Sequence, residues 1–274
     1  MTRRFDHKKV EIEVQKNPYN DDRMLGPLSY IGGKRSLAKQ IIAIFPEHTT
    51  YVEPFSGGAQ VLFRKEPSKV EVLNDLDGDV INFFRVCQQH YEELIRYLRF
   101  TLVSRGWFDQ WKKIDPATLT DIQRAARFFY LQKNSFAGLV RQHNFGGGVV
   151  ETPGYNPERV AEHIEAAHHR LARVQLELLP YEQVLKKYDR PTTLFYLDPP
   201  YFKRKLYHYN FDHEDFVTLA ERLTKISGKF VLSLNDVPEV RKIFKGFSIR
   251  GIDLFYTAQK TAGKRFKEVL ITNF

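Results

Sequence analysis

A chain of 274 residues, 42% of them hydrophobic, carries enough apolar side chain for a buried core, which excludes global disorder. Lys and Arg outnumber Asp and Glu by nine, which admits a polyanionic partner without requiring one. The single cysteine, Cys87, excludes an internal disulfide; no apolar run reaches the roughly 18 residues of a membrane span; and no secretion leader follows the charged start, so a cytoplasmic setting is expected.

Residues 1–27 read as an arm, with one short alternating strand at Val10, Ile12 and Val14. From Leu28 to Phe84 the pattern is strand, loop, helix, repeated. Leu37, Ile41, Ile42 and Ile44 mark a helix, and Thr50–Glu53 a buried strand. Gly57-Gly58 is expected to open the next helix. Val70–Asp75 is a further strand, followed by a helix through Val80, Phe83 and Phe84. Such alternation predicts a parallel sheet covered by helices. Residues 86–172 are helical in texture, interrupted at 140–156 by a glycine-rich stretch that predicts a hairpin or loop. A helix through Val160, Ile164 and Leu171 follows. Strands resume at Leu176–Leu179, Thr193–Leu197, Phe230–Leu234 and Val269–Thr272. One α/β unit, 28–85 with 173–274, is therefore split by an insertion.

One stretch within the insertion is strongly basic. Between Arg96 and Arg141 stand nine basic residues against three acids, with Trp107, Phe108, Trp111, Phe128, Phe129, Tyr130 and Phe136 interleaved. A polyanion-binding surface has this composition, and so does a helical bundle with solvated cations outside. His163, His168 and His169 do not share a helix face at ligand spacing, so no metal is expected.

Asp198-Pro199-Pro200-Tyr201 follows the apolar run Leu194–Leu197. In open α/β sheets, ligands bind beyond the carboxyl ends of strands. The prolines stiffen the loop and offer carbonyls without competing amides. The Asp198 carboxylate and the Pro199 carbonyl can accept from a planar amine while the Tyr201 ring stacks on it. Glu53-Pro54-Phe55-Ser56-Gly57-Gly58 is expected at an earlier strand-to-helix turn, whose glycines admit close approach of a cofactor. It is not G-x-G-x-x-G, which disfavours a nicotinamide nucleotide. Asp75 ends the next strand, where an acid can accept from ribose hydroxyls or cap a helix. Tyr30-Ile31-Gly32-Gly33-Lys34 is not a Walker loop, because Leu28 stands at the first glycine position and Arg35 follows the lysine.

Together, from Leu28 to Phe274, these segments resemble the D12-class adenine-specific DNA methyltransferases, the family of the Dam enzymes. Tyr30 to Lys34 is similar to the family's N-terminal cofactor motif, Glu53 to Gly58 to its glycine-rich motif, and Asp75 to the acid on the cofactor ribose. Leu179-Pro180-Tyr181 is similar to the segment beside the cofactor adenine, and Asp198–Tyr201 to the catalytic motif. Phe129-Tyr130-Leu131, with Gly138 and Leu139, resembles the start of the recognition region, and Lys267–Asn273 the last strand.

The resemblance implies a Rossmann-like S-adenosylmethionine-dependent methyltransferase sheet with a mainly helical target-recognition insertion at 86–172. It implies transfer of a methyl group to a flipped-out adenine of double-stranded DNA, by a monomer or homodimer. The expected catalytic set is Asp198, Pro199, Pro200 and Tyr201. The expected cofactor set is Tyr30, Gly32, Gly33, Lys34, Glu53, Pro54, Phe55, Gly57, Gly58, Asp75, Tyr181 and Asp198. Lys203, Arg204 and Lys205 are expected on phosphates, and Lys133, Asn134, Arg141, His143 and Asn144 are candidates for reading bases. GATC-specific Dam enzymes usually carry a lysine just before the N-terminal motif aromatic. Ser29 stands there, so a GATC target is not assumed. Methyltransferases of RNA adenine or protein glutamine share such a loop, and an inactive DNA-binding relative would share the fold.

Overall fold

The computed structural model describes residues 26–28, 34, 37–135, 144–147, 154–204, 209–254 and 266–274. Among them run seven strands in one sheet: β1 (Thr50–Glu53), β2 (Val70–Asn74), β3 (Gln175–Glu177), β4 (Thr193–Leu197), β5 (Lys229–Asn235), β6 (Ser248–Leu254) and β7 (Phe266–Thr272). The order across the sheet is β3-β2-β1-β4-β5-β7-β6. The pairs from β3 through β5 are parallel, whereas β7 runs antiparallel to both β5 and β6. Strand order reverses between β1 and β4, the switch point where such sheets open a crevice at their carboxyl ends.

Burial on both faces explains the near-continuous apolar reading of the central strands. Side chains alternate across the sheet. Along β4, Leu194 and Tyr196 enter one core cluster, while Phe195 and Leu197 enter the other. Along β5, Val231 faces the first, with Phe230 and Leu232 facing the second. On the second face lie α7 (Tyr181–Tyr188), α8 (His213–Leu223) and α9 (Pro238–Ile243). On the first lie α1 (Ala38–Ile42), α2 (Gly78–Gln89), α3 (Tyr91–Leu98), α4 (Arg105–Lys113), α5 (Asp121–Asn134) and α6 (Val160–Leu171).

The helix starts follow local chemistry. The Asp77 carboxylate accepts from Asp79 N to start α2. Thr120 and Gln123 form a reciprocal capping box on α5, and Asp212 and Asp215 do the same on α8. Phe83 of α2 stacks on Phe129 of α5, their rings 5.6 Å apart and 8° from parallel. Burying each ring stabilises by roughly 1.5–3 kcal/mol. Arg124 of α5 pairs with Asp79, and Asn82 Nδ2 donates to Asp121 O over 2.9 Å. A buried charge cluster ties α6 to β2. Arg170 grips both oxygens of Glu71 over 2.5 and 2.9 Å, and Lys65 Nζ reaches Glu71 Oε1 over 2.7 Å.

Three expectations change. Residues 57–65 form a run of turns, not a helix, because Gly57 (φ 45°) and Ala59 (φ 48°) sit in the left-handed region. Of the two roles open to Asp75, helix capping falls to Asp77. β6 was missed: Gly251 and charged neighbours break its apolar pattern, as suits a strand at the sheet margin. The 10–14 strand and most of the 140–156 hairpin lie outside the described residues. An antiparallel bridge joins Ser135 to Phe145.

Candidate active site

The crevice at the carboxyl ends of β1, β2 and β4 opens into a cleft of about 880 Å³, its mouth included. Three loops build its walls: Glu53–Val61 after β1, Asp75–Asp77 after β2, and Asp198 with Pro200 after β4.

The glycine loop is shaped by its own acids. Glu53 is buried, and its Oε1 accepts from Tyr51 Oη over 2.8 Å and from Leu62 N over 2.9 Å. Burial pushes the Glu53 carboxyl up to about 8, against the pull of those two donors. Asp75 Oδ2 accepts from Gly57 N over 2.8 Å, and Oδ1 from Asp77 N over 2.9 Å. Burial raises Asp75 to about 6, although both amides oppose the shift. Asn74 locks the neighbouring loops, donating to Pro54 O and Leu179 O while accepting from Leu179 N.

Phe55, Tyr181 and Phe211 make an aromatic slot on one side of the cleft. Their ring centroids lie 5.2 Å (Phe55–Tyr181), 5.6 Å (Phe55–Phe211) and 5.7 Å (Tyr181–Phe211) apart. The three rings pack on one another, and a planar heterocycle can stack on the face they turn to the cleft. Two polar atoms at the cleft wall, Ser56 Oγ and Gln60 Oε1, are buried with no hydrogen-bond partner among the described residues. A polar ligand would satisfy them.

At the other side stands Asp198. Its Oδ1 lies 2.8 Å from Lys34 Nζ and accepts from Ser233 Oγ over 3.0 Å. Lys34 Nζ donates to Tyr201 Oη over 2.5 Å, and Tyr201 Oη donates to Glu268 Oε1 over 2.6 Å. Lys34 is almost fully buried, which would lower its pKa, but the Asp198 and Glu268 carboxylates more than reverse this and raise it. Burial raises the Glu268 carboxyl, against the Lys34 charge.

The structure therefore gathers Lys34, Glu53, Pro54, Phe55, Gly57, Gly58, Asp75, Tyr181, Asp198 and Pro200 around one cleft. Pro199 is buried behind it, and Tyr201 joins through Lys34. Tyr30, Gly32, Gly33, Arg141, His143 and Lys205 lie outside the described residues. Lys203 sits at φ 60° with its ammonium 2.6 Å from Glu239, and Arg204 is exposed. Lys133 is half-buried, 5.6 Å over the Phe129 ring, while Asn144 is exposed. Asn134, expected among the base readers, is buried instead. Its Nδ2 donates to Tyr130 O over 3.0 Å, so the side chain ties down the end of α5. Sequence reasoning did not assign Tyr196, Phe211, Ser233 or Glu268 to the site. Only Glu268 carried a signal, a lone acid at the start of an apolar strand.

An α/β enzyme with an aromatic-walled cleft and an acidic loop at its sheet edge is what this fold and site define. The chain belongs to the D12 class N6 adenine-specific DNA methyltransferase family, whose profile matches residues 30–258. It is 28% identical to the Type II methyltransferase M1.LlaDCHI of Lactococcus lactis subsp. cremoris, covering 95% of this chain and 98% of that one. It is 24% identical to a DNA adenine methylase of Vibrio cholerae, covering 88% of this chain and 92% of that one. Among solved structures, SMU.776, a methyltransferase complexed with SAH, overlaps with a TM-score of 0.41 and 14% identity. That overlap covers 88% of this chain and 49% of that one. It is loose, and the fold assignment rests on the sheet order itself.

Proposed function

We propose that this chain transfers a methyl group from S-adenosylmethionine to the exocyclic amine of an adenine flipped out of double-stranded DNA. The observation that carries the reading is the single cleft shared by the aromatic slot, the Asp75 carboxylate and Asp198. When bound, the cofactor supplies an electrophilic methyl carbon. Its adenine suits the Phe55–Tyr181–Phe211 slot, and its ribose hydroxyls suit Asp75. Ser56 Oγ and Gln60 Oε1 offer it unspent hydrogen bonds.

The remaining chemistry falls to this chain's side chains. The amine is a poor nucleophile because its lone pair is delocalised into the ring. Asp198 and the Pro199 carbonyl accept its two protons, draw the nitrogen towards tetrahedral geometry and aim the lone pair. Among the described residues, both hydrogen-bonding contacts of the carboxylate fall on Oδ1, which keeps Oδ2 for the substrate. Tyr201 stacks on the extruded base, returning about 1–3 kcal/mol of the few that unstacking costs. Fixed donors and acceptors do most of this work.

Residues 28–85 and 173–274 serve as the catalytic unit and 86–172 as the target-recognition unit, with 1–27 an arm. Lys203, Arg204 and Lys205 grip phosphates beside the flipped nucleotide, while Lys133, Arg141 and Asn144 serve as base readers. The chain acts as a monomer or homodimer. The protein works in the cytoplasm, on the DNA. Among the described residues, no helix is long and apolar enough to cross a membrane.

The test is transfer of tritiated methyl from S-adenosylmethionine to unmethylated genomic DNA, with Asp198→Ala alongside. Sequencing that reads N6-methyladenine follows. Label at one recurrent motif, lost in the variant, is expected. Label on RNA or protein but not on DNA would overturn the reading.

A further inference from the structure

Glu268 is a carboxylate in the middle of a sheet. Its strand, β7, lies between β5 and β6, with Glu268 in register with Asn235 on one side and Ile252 on the other. The residues that follow it, Val269, Leu270 and Ile271, are fully buried and apolar. Removing a carboxylate from water costs several kcal/mol, and an apolar residue would serve the sheet better. The side chain spends its charge at the cleft. Oε1 accepts from Tyr201 Oη over 2.6 Å, and Oε2 lies 3.7 Å from Lys34 Nζ.

We propose that Glu268 is a positioning residue for methyl transfer, fixing the place of the Tyr201 ring on which the flipped adenine stacks. This rests on the reading of the cleft given above.

The geometry supports it in three ways. The Tyr201 hydroxyl is held on both sides, accepting from Lys34 and donating to Glu268, so its ring cannot swing without breaking two hydrogen bonds. Both bonds are charge-assisted, the strong class. The two carboxylates also share one ammonium, since Lys34 faces Asp198 at 2.8 Å and Glu268 at 3.7 Å. Through Lys34, β7 thus sets the place of both the stacking ring and the amine acceptor. Glu268 itself is only 6% exposed and acts through its neighbours, not on substrate.

The experiment is a double-mutant cycle on methyl transfer to duplex DNA, with Glu268→Ala, Tyr201→Phe and the pair. Cofactor affinity is measured in parallel by calorimetry. A base displaced by about an ångström costs on the order of 100-fold in rate. Glu268→Ala is expected to lower kcat by about that factor, leaving the cofactor Kd within about twofold. The double variant is expected to lose no more than the worse single, because both act through one hydroxyl. Glu268→Gln keeps an acceptor for Tyr201 and should restore most of kcat, which also covers failure of the alanine variant to fold. With 2-aminopurine at the target position, Glu268→Ala should flip the base but leave its emission unquenched by stacking.

Losses that multiply in the double variant would overturn the proposal, as would unchanged kcat in Glu268→Ala or a glutamine variant as slow as alanine. Normal transfer by the unaltered protein with unaffected Glu268 variants sinks this inference alone. Absence of any transfer to DNA by the unaltered protein sinks the reading of the cleft and this inference with it.

Discussion

The backbone amide of Gly57 donates to Oδ2 of Asp75 across 2.8 Å, so the glycine loop and the acid beside it form one unit. Burial raises Asp75 to about 6. A folded-state pKa raised above the unfolded value favours the protein below about pH 4, and that benefit is lost as pH rises through about 6. The ionised carboxylate costs the ligand-free protein roughly 2–3 kcal/mol at neutral pH. Ribose hydroxyls donating to it would offset that cost. Cofactor affinity should therefore rise with pH between 5 and 7 and then level off. Asp75→Asn should bind about 10-fold or more weakly at pH 8, with a flat profile. Calorimetric titration across this range checks both.

Asp198→Asn keeps the shape of the acceptor and removes its charge. The Lys34 ammonium would then face Glu268 and a neutral amide. Methyl transfer should fall by about 10²–10³ with cofactor affinity nearly unchanged. Ser233→Ala, which removes a single donor to Oδ1, should cost less, about 3–10-fold. Single-turnover rates at saturating cofactor and DNA separate the two.

Glu71 neutralises two buried cations, Lys65 and Arg170. Glu71→Gln leaves both inside without their shared anion. The expected loss is about 3–5 kcal/mol in urea unfolding. A loss below about 1 kcal/mol would show that water reaches the cluster.

Lys203 is already paired with Glu239 at an exposed site, and Arg204 is exposed beside it. Glu239→Ala should free Lys203 and tighten DNA a few-fold at low salt, an effect that fades as salt rises. Arg204→Ala should weaken DNA of every sequence alike and reduce the salt slope by about one. Binding isotherms at several salt concentrations read both.

Much of this architecture can be read before folding. The central strands Thr50–Glu53 and Thr193–Leu197 stand out because both faces of the sheet are covered, which makes the residues apolar without a break. The cleft residues stand out because loops at strand ends carry rare combinations, such as two prolines before a tyrosine. Contacts between distant segments are less visible. Nothing near Lys34 foretells that its ammonium meets Glu268, 234 positions later in the numbering. Ser233 and Tyr196 read as ordinary strand residues until β4 and β5 pair. The turns at 57–65 were mistaken for a helix because the left-handed backbone of Ala59 leaves no trace in composition.

The first core cluster runs without a break from Tyr51 and Leu73 of the sheet into Phe83, Phe128 and Tyr130 of the helices. A hinge between the proposed reading surface and the methyl-transfer cleft has no place to form across such packing. The distance from the bases that are read to the adenine that is modified is then set by side-chain volume, as in a rigid ruler. Shaving that ruler at Phe83, far from any nucleotide, should blur which adenine is chosen before it slows the chemistry.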